Sequence, residues 1–306
     1  MPYKSRVKWS SLKEKGGYIP LMLILFMYKI LGRIFIRPIL YIIVFWYWVL
    51  SSSIKKYSLV YLRRNYIYSN KSSFKNKPKI INTYFHFMQF ASAILDKIDA
   101  WLGYKNKNQI IIHGEDIIKE YYQKGLILFV SHFGNIEVLK AINASRPQKI
   151  NILVYQKHSS GFNKFLKKIS KNSQASLIAV DEIDLNTSIM LEEKVSRGEW
   201  IVIAVDRVPI NSNRILTIPF LGYPASWPQG GWLIANLLKV PVVASFCYQE
   251  NEQTKIYFHS LSEKVHFSRK HRNDQMQELA VKYVKLLECH CLKAPYQWFN
   301  FYHFWD

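Results

Sequence analysis

Apolar positions cluster at the start of this chain and then break into short, regularly spaced blocks. Residues 16 to 28 carry no charge. Lys29, Arg33 and Arg37 interrupt, and Pro38 to Ile54 is again uncharged and includes the run IIVFWYWVL. Lys4, Arg6, Lys8, Lys13 and Lys15 precede these runs, and Lys55, Lys56, Arg63 and Arg64 follow them. A membrane-crossing helix needs roughly 20 consecutive apolar residues, and neither run reaches that. Cations on both flanks favour keeping both ends on the cytoplasmic side. The expectation is a membrane-anchoring helical region over residues 1–68, re-entrant or interfacial, with Trp46, Tyr47 and Trp48 at the interface. A single short span and a buried helix pair are the alternatives. No small-residue cleavage site is evident, so a cleaved signal peptide is not expected.

A polar, basic linker follows, SNKSSFKNKPKI, residues 69 to 80. Helical periodicity then runs over Ile81–Leu102. From there, short apolar runs alternate with amphipathic ones. Strands are expected at Ile110–His113, Leu126–Ser131, Ile150–Tyr155, Ala175–Ala179, Trp200–Val205, Val240–Tyr248 and Lys255–Leu261. Helices are expected at Glu115–Lys124, Ile136–Ala144, Phe162–Asn172, Thr187–Arg197, Gly230–Leu238 and Asp274–Leu292. Pro219, Gly222, Pro224 and Pro228 read as a loop. Such alternation predicts an α/β fold: a mixed, mainly parallel sheet flanked by helices, forming one domain over residues 69–306.

Composition narrows the partners. Hydrophobic residues make up 49% of the 306, which excludes a disordered chain. Lys and Arg total 42 against 21 acidic residues, a formal charge of +21 that implies an anionic partner. Much of that charge accompanies apolar and aromatic stretches, so an anionic membrane is expected. No DNA- or RNA-reading motif is present, so nucleic acid is not. Three cysteines, Cys247, Cys289 and Cys291, give no disulfide framework and point to a reducing compartment.

Candidate chemistry sits at one strand-to-helix turn. LILFV is followed by Ser131, His132, Phe133, Gly134 and Asn135, with Glu137 five residues beyond the histidine. A carboxylate on one imidazole nitrogen fixes the tautomer and makes the other nitrogen a better base. Gly134 permits a tight turn, first-turn N–H groups offer donors to an oxyanion, and Asn135 is a substrate contact or a helix cap. These parts suit deprotonation of a hydroxyl that attacks a carbonyl. His113-Gly114-Glu115 lacks that geometry, and helical spacing splays Cys289, His290 and Cys291 apart, so no metal site is expected.

SHFGNIE after an apolar strand resembles the H-x4-D/E signature of the lysophospholipid acyltransferase superfamily. NILVYQK (151–157), IVIAVDRVP (201–209) and IPFLGYPASWPQGGWLIANLLKVPVVASF (218–246) follow in the order of its lipid A biosynthesis acyltransferase branch. The apolar N-terminus and the aromatic tail PYQWFNFYHFW fit that branch too. This resemblance implies a glycerol-3-phosphate acyltransferase-like fold on the cytoplasmic face of a bacterial inner membrane. It implies transfer of a fatty acyl chain from an acyl carrier protein or CoA thioester to a hydroxyl or amine of a lipid or glycolipid, with no cofactor beyond that co-substrate. His132 would be the base and Glu137 its orienting partner. Gly134, Asn135, Gln156, Lys157, Asp206 and Arg207 would contact substrate, Arg207 at an anionic group. The form Asp206-Arg207-Val208-Pro209 differs from that of the lauroyl and myristoyl enzymes and leaves the acceptor open. A catalytically inactive membrane-surface binding protein of the same fold is the alternative.

Overall fold

The computed structural model describes residues 18–102, 110–135, 148–154, 175–179, 184–209, 212–251 and 253–305. Three helices come first: α1 (Tyr18–Leu50), α2 (Ser52–Tyr68) and α3 (Ile80–Leu102). The sheet strands are β1 (Ile110–His113), β2 (Leu126–Val130), β3 (Ile150–Val154), β4 (Ala175–Ala179), β5 (Trp200–Ala204), β8 (Val242–Glu250) and β9 (Gln253–Ser262). Between β5 and β8 lies a hairpin, β6 (Ile215–Phe220) and β7 (Tyr223–Pro228). The remaining helices are α4 (Glu115–Lys119), α5 (Leu185–Ser196), α6 (Gly230–Leu238) and α7 (Arg272–Lys293), the last followed by a 3-10 turn at Pro295–Gln297.

The seven strands are ordered β1-β9-β8-β2-β5-β3-β4. Adjacent strands from β8 to β4 pair parallel; β9 is antiparallel to β8 and parallel to β1. The expected mixed, mainly parallel sheet is therefore present. Strand β2 is central and buried throughout, because parallel strands covered on both faces read as continuous apolar runs. Ile127 and Phe129 join the larger core with Trp232 of α6 and Tyr283 of α7. Leu126, Leu128 and Val130 join the smaller one with Trp200 and Val243.

The loop expected around Pro219–Pro228 is instead the β6–β7 hairpin. Its turn, Leu221-Gly222, has positive φ at both residues, 51° and 82°, which suits a two-residue hairpin whose twist matches its strands. Pro219 pairs with Pro224 and Pro228 with Ile215. Counting out from the turn, these are the non-hydrogen-bonded pairs of the antiparallel ladder, where a missing N–H costs no bond.

The N-terminal apolar runs fold into bent and broken helices. No single described helix is long and apolar enough to cross a membrane; the pair Phe35–Leu50 and Ser52–Tyr68 meets the length and composition only jointly and is bent by 97°. Helix α1 itself breaks at Gly32, whose φ is 70°. Beside that break Arg33 pairs with Asp96 and Asp99 of α3, and Tyr28 bonds Asp99. Tyr61 and Leu62 of α2 are fully buried in the larger core. The outer side of α1 is apolar and exposed, with Phe35 66%, Ile42 62%, Trp46 59% and Leu50 76% accessible.

Candidate active site

His132 and Asp206 come together through strand register. Strands β2 and β5 pair parallel with Val130 opposite Ala204, and Val205 N–H extends the ladder to Val130 O at 3.0 Å. Two residues beyond each strand, His132 and Asp206 therefore leave the C-terminal edge of the sheet side by side. Ligands in parallel α/β sheets bind at that edge.

The carboxylate of Asp206 grips the histidine twice. Oδ1 accepts from the imidazole Nδ1 at 2.8 Å and Oδ2 from the His132 backbone N–H at 2.9 Å. A third donor, Trp298 Nε1–H, reaches Oδ2 at 3.3 Å. Asp206 is 2% exposed. Its burial favours the neutral acid, but the His132 and Arg207 partners outweigh that and hold the carboxyl below its ordinary value. An ionised carboxylate at Nδ1 assigns the ring proton to Nδ1 and leaves the Nε2 lone pair available.

The His132 side chain keeps 39% of its surface open to solvent. Protein packed around the ring nevertheless lowers its pKa, chiefly by desolvation and then by the Arg207 charge, while Asp206 pulls the other way. The net direction is downward, so the imidazole is neutral at neutral pH. Such a group, in a tautomer with Nε2 unprotonated and reachable, is equipped to accept a proton.

The rest of the motif is sewn into the fold. Phe133 bridges Trp298 antiparallel, with Phe299 N–H donating to His132 O at 2.8 Å and Gly134 N–H to Gln297 O at 2.7 Å. Asn135 N–H donates to Cys247 O at 2.8 Å. Gly134 has φ +60°, and a Cβ there would lie 1.8 Å from Cys247 O. Its missing side chain thus makes room for β8. The N–H groups of Gly134 and Asn135 are both taken by backbone carbonyls, and the first helical turn expected to supply oxyanion donors lies outside the described residues.

Arg207 stands beside the pair. Its Nη2 donates to Phe299 O at 3.1 Å, and its guanidinium lies 5.6 Å from the centre of the Tyr302 ring. Glu137, Gln156 and Lys157 lie outside the described residues. The expected His132–Glu137 pairing lies outside the described residues; the carboxylate on Nδ1 is that of Asp206, a residue the sequence places among the substrate contacts. The sequence carried a signal for this: LILFVSH and WIVIAVD are equal-length runs ending in the two residues. Trp298 had no comparable signal beyond its place in an aromatic tail. In the Cys289–Cys291 run, Cys289 is exposed while His290 and Cys291 are buried, and His290 meets His259 with 3.1 Å between their Nε2 atoms.

The family model of the bacterial lipid A biosynthesis acyltransferases matches residues 25–306. No curated protein matches the chain.

Proposed function

The chain belongs to the bacterial lipid A biosynthesis acyltransferase family, and from that premise we propose that it transfers a fatty acyl chain from an acyl thioester to a hydroxyl or amine of a lipid or glycolipid, with His132 as general base. The observation that carries this reading is the 2.8 Å bond from His132 Nδ1 to the buried carboxylate of Asp206. As the acceptor oxygen attacks the thioester carbonyl, Nε2 takes its proton. Asp206 holds the ring in the required tautomer and stabilises the imidazolium that forms. The new C–O bond closes, the C–S bond breaks, and the proton on Nε2 passes to the departing thiolate. A thiolate leaves readily, and direct transfer needs no acyl-enzyme.

Glu137 stays in the proposal with a changed role. Because Nδ1 is given to Asp206, Glu137 is assigned to the acid–base step as a second carboxylate rather than as the ring's partner at Nδ1. Arg207 is assigned an anionic part of a substrate, a role that the fork of guanidinium donors suits. Gln156 and Lys157 are assigned to the acceptor. The donor is an acyl carrier protein or CoA thioester.

The protein works at the cytoplasmic face of the inner membrane, with the exposed apolar side of α1 in the lipid and the neighbouring lysines and arginines on anionic headgroups. Support comes from the exposure of Phe35, Ile42, Trp46 and Leu50. The test is mass spectrometry of lipids from cells with the intact gene, without it, and with the His132→Ala gene. One lipid class should lack an acyl chain in the last two. Identical lipids in all three would overturn the reading.

A further inference from the structure

Asp206 and His132 leave two different strands, and the segment that ties them together comes from the far end of the chain. Residues 297–299 pair with 132–134 through the Phe133–Trp298 bridge, placing the Trp298 backbone against the motif. The same residue's side chain points to the other partner: its indole N–H reaches Asp206 Oδ2 at 3.3 Å. Phe299, next in sequence, holds both sides as well, donating its N–H to His132 O and accepting from Arg207 Nη2.

This strap is itself anchored from the N-terminal helices. His86 of α3 is fully buried, and its Nε2 lies 2.9 Å from Trp298 O. A carbonyl only accepts, so Nε2 carries the proton and Nδ1 accepts from Ser58 Oγ of α2 at 2.8 Å. Burial lowers the His86 pKa to about 4, which keeps this link neutral. The Trp298 ring is 1% exposed, with ring centres of Tyr61, Phe220 and Phe304 at 5.0, 4.9 and 4.9 Å.

We infer that Trp298 is a positioning residue for the acid–base pair: its indole N–H fixes the carboxylate of Asp206 against His132. The inference rests on the reading of His132 as base. Among the described residues, the two oxygens of this buried carboxylate face three donors, two from the histidine and one from the indole. The indole sets the rotation of the carboxyl plane and draws negative charge toward Oδ2. Without that N–H, the carboxylate would concentrate its charge on His132, and the imidazole would hold its proton more tightly. A Trp298 that only filled the core would leave the imidazole's proton affinity unchanged once its volume was preserved.

The experiment reads His132 without needing a substrate. Diethyl pyrocarbonate modifies neutral imidazole, and peptide mass spectrometry follows the rate at His132 against pH. The full-length protein is compared with Trp298→Phe and with a chain carrying β-(3-benzothienyl)alanine at 298, which keeps the ring's shape and lacks the N–H. Both should keep the wild-type melting temperature within a few degrees. The midpoint for His132 should move up by roughly half a unit, about a threefold lower rate at pH values below it. If Trp298→Phe fails to fold, the benzothienyl chain carries the test. An unchanged midpoint in that folded chain overturns the inference. The reading of His132 as base fails separately, if His132→Ala retains acyl transfer.

Discussion

Asp206→Asn separates a carboxylate that orients the base from one that merely fills space. Among the described residues, Oδ2 serves two donors, His132 N–H and Trp298 Nε1–H, whereas Oδ1 serves the ring Nδ1. An asparagine keeps the larger number of bonds with its carbonyl oxygen in the Oδ2 position. Its NH2 then faces Nδ1 and donates to it. The imidazole must accept there, its proton moves to Nε2, and the lone pair needed for catalysis is gone. Restoring the productive tautomer breaks a hydrogen bond in a site where Asp206 is 2% exposed. The imidazolium also loses its counter-charge. Together these cost about 3–5 kcal/mol in the transition state, roughly a 10²–10⁴-fold fall in kcat. The isosteric change leaves the fold in place, so the melting temperature should move by only a few degrees. The assay is acyl transfer from an acyl thioester to the lipid class that loses an acyl chain in cells without the gene, with Glu137→Gln in parallel. Transfer by Asp206→Asn within about threefold of wild type would refute the tautomer argument.

Four further outcomes follow from the same geometry. Arg207→Gln removes a cation that lowers the His132 pKa, so the acid limb of the pH–rate profile should move to higher pH; a shift to lower pH would contradict the assignment. Gly134→Ala drives a methyl group into Cys247 O at 1.8 Å in a left-handed conformation, and equilibrium unfolding should show a loss of about 3 kcal/mol or more. His86 has a folded pKa of about 4, below its unfolded value near 6.5, so the unfolded chain takes the proton first. Its contribution is complete above about pH 6.5 and is lost as pH falls, about 3 kcal/mol by pH 4, and denaturant titrations of His86→Gln should lack that part of the decline. Replacing Ile42 and Trp46 by Glu should weaken binding to anionic phosphatidylglycerol vesicles by about 3 kcal/mol or more in sedimentation assays, since each apolar side chain contributes roughly 1.5–3 kcal/mol on burial.

The central strands were legible because LILFV and WIVIA have one structural solution, a strand covered on both faces. Strand–helix alternation also implied a parallel direction for those two strands, and hence that Asp206 and His132 leave the same sheet edge, but not that the strands are neighbours. What it did not reveal was which residue the carboxylate serves, because that depends on register between strands 74 residues apart. The hairpin at 215–228 was hidden by its prolines. Their tolerance depends on a ladder parity that no local pattern displays. Trp298 was further out of reach, 92 residues from its carboxylate and one aromatic among several in the tail. The N-terminal runs were legible as apolar, but the break at Gly32 and the 97° bend after Leu50 depend on backbone geometry that the apolar pattern does not display.

Whether His132 abstracts the acceptor proton is decided most directly in a single turnover. Purified wild type and His132→Ala, matched for circular dichroism and melting temperature, are each mixed in single turnover with the acyl thioester and the lipid acceptor. The acylated lipid is then counted by mass spectrometry. The wild type should add one acyl chain to the lipid, and His132→Ala should do so ~10²–10⁴-fold more slowly. Equal single-turnover rates for the two proteins would contradict the account at its centre.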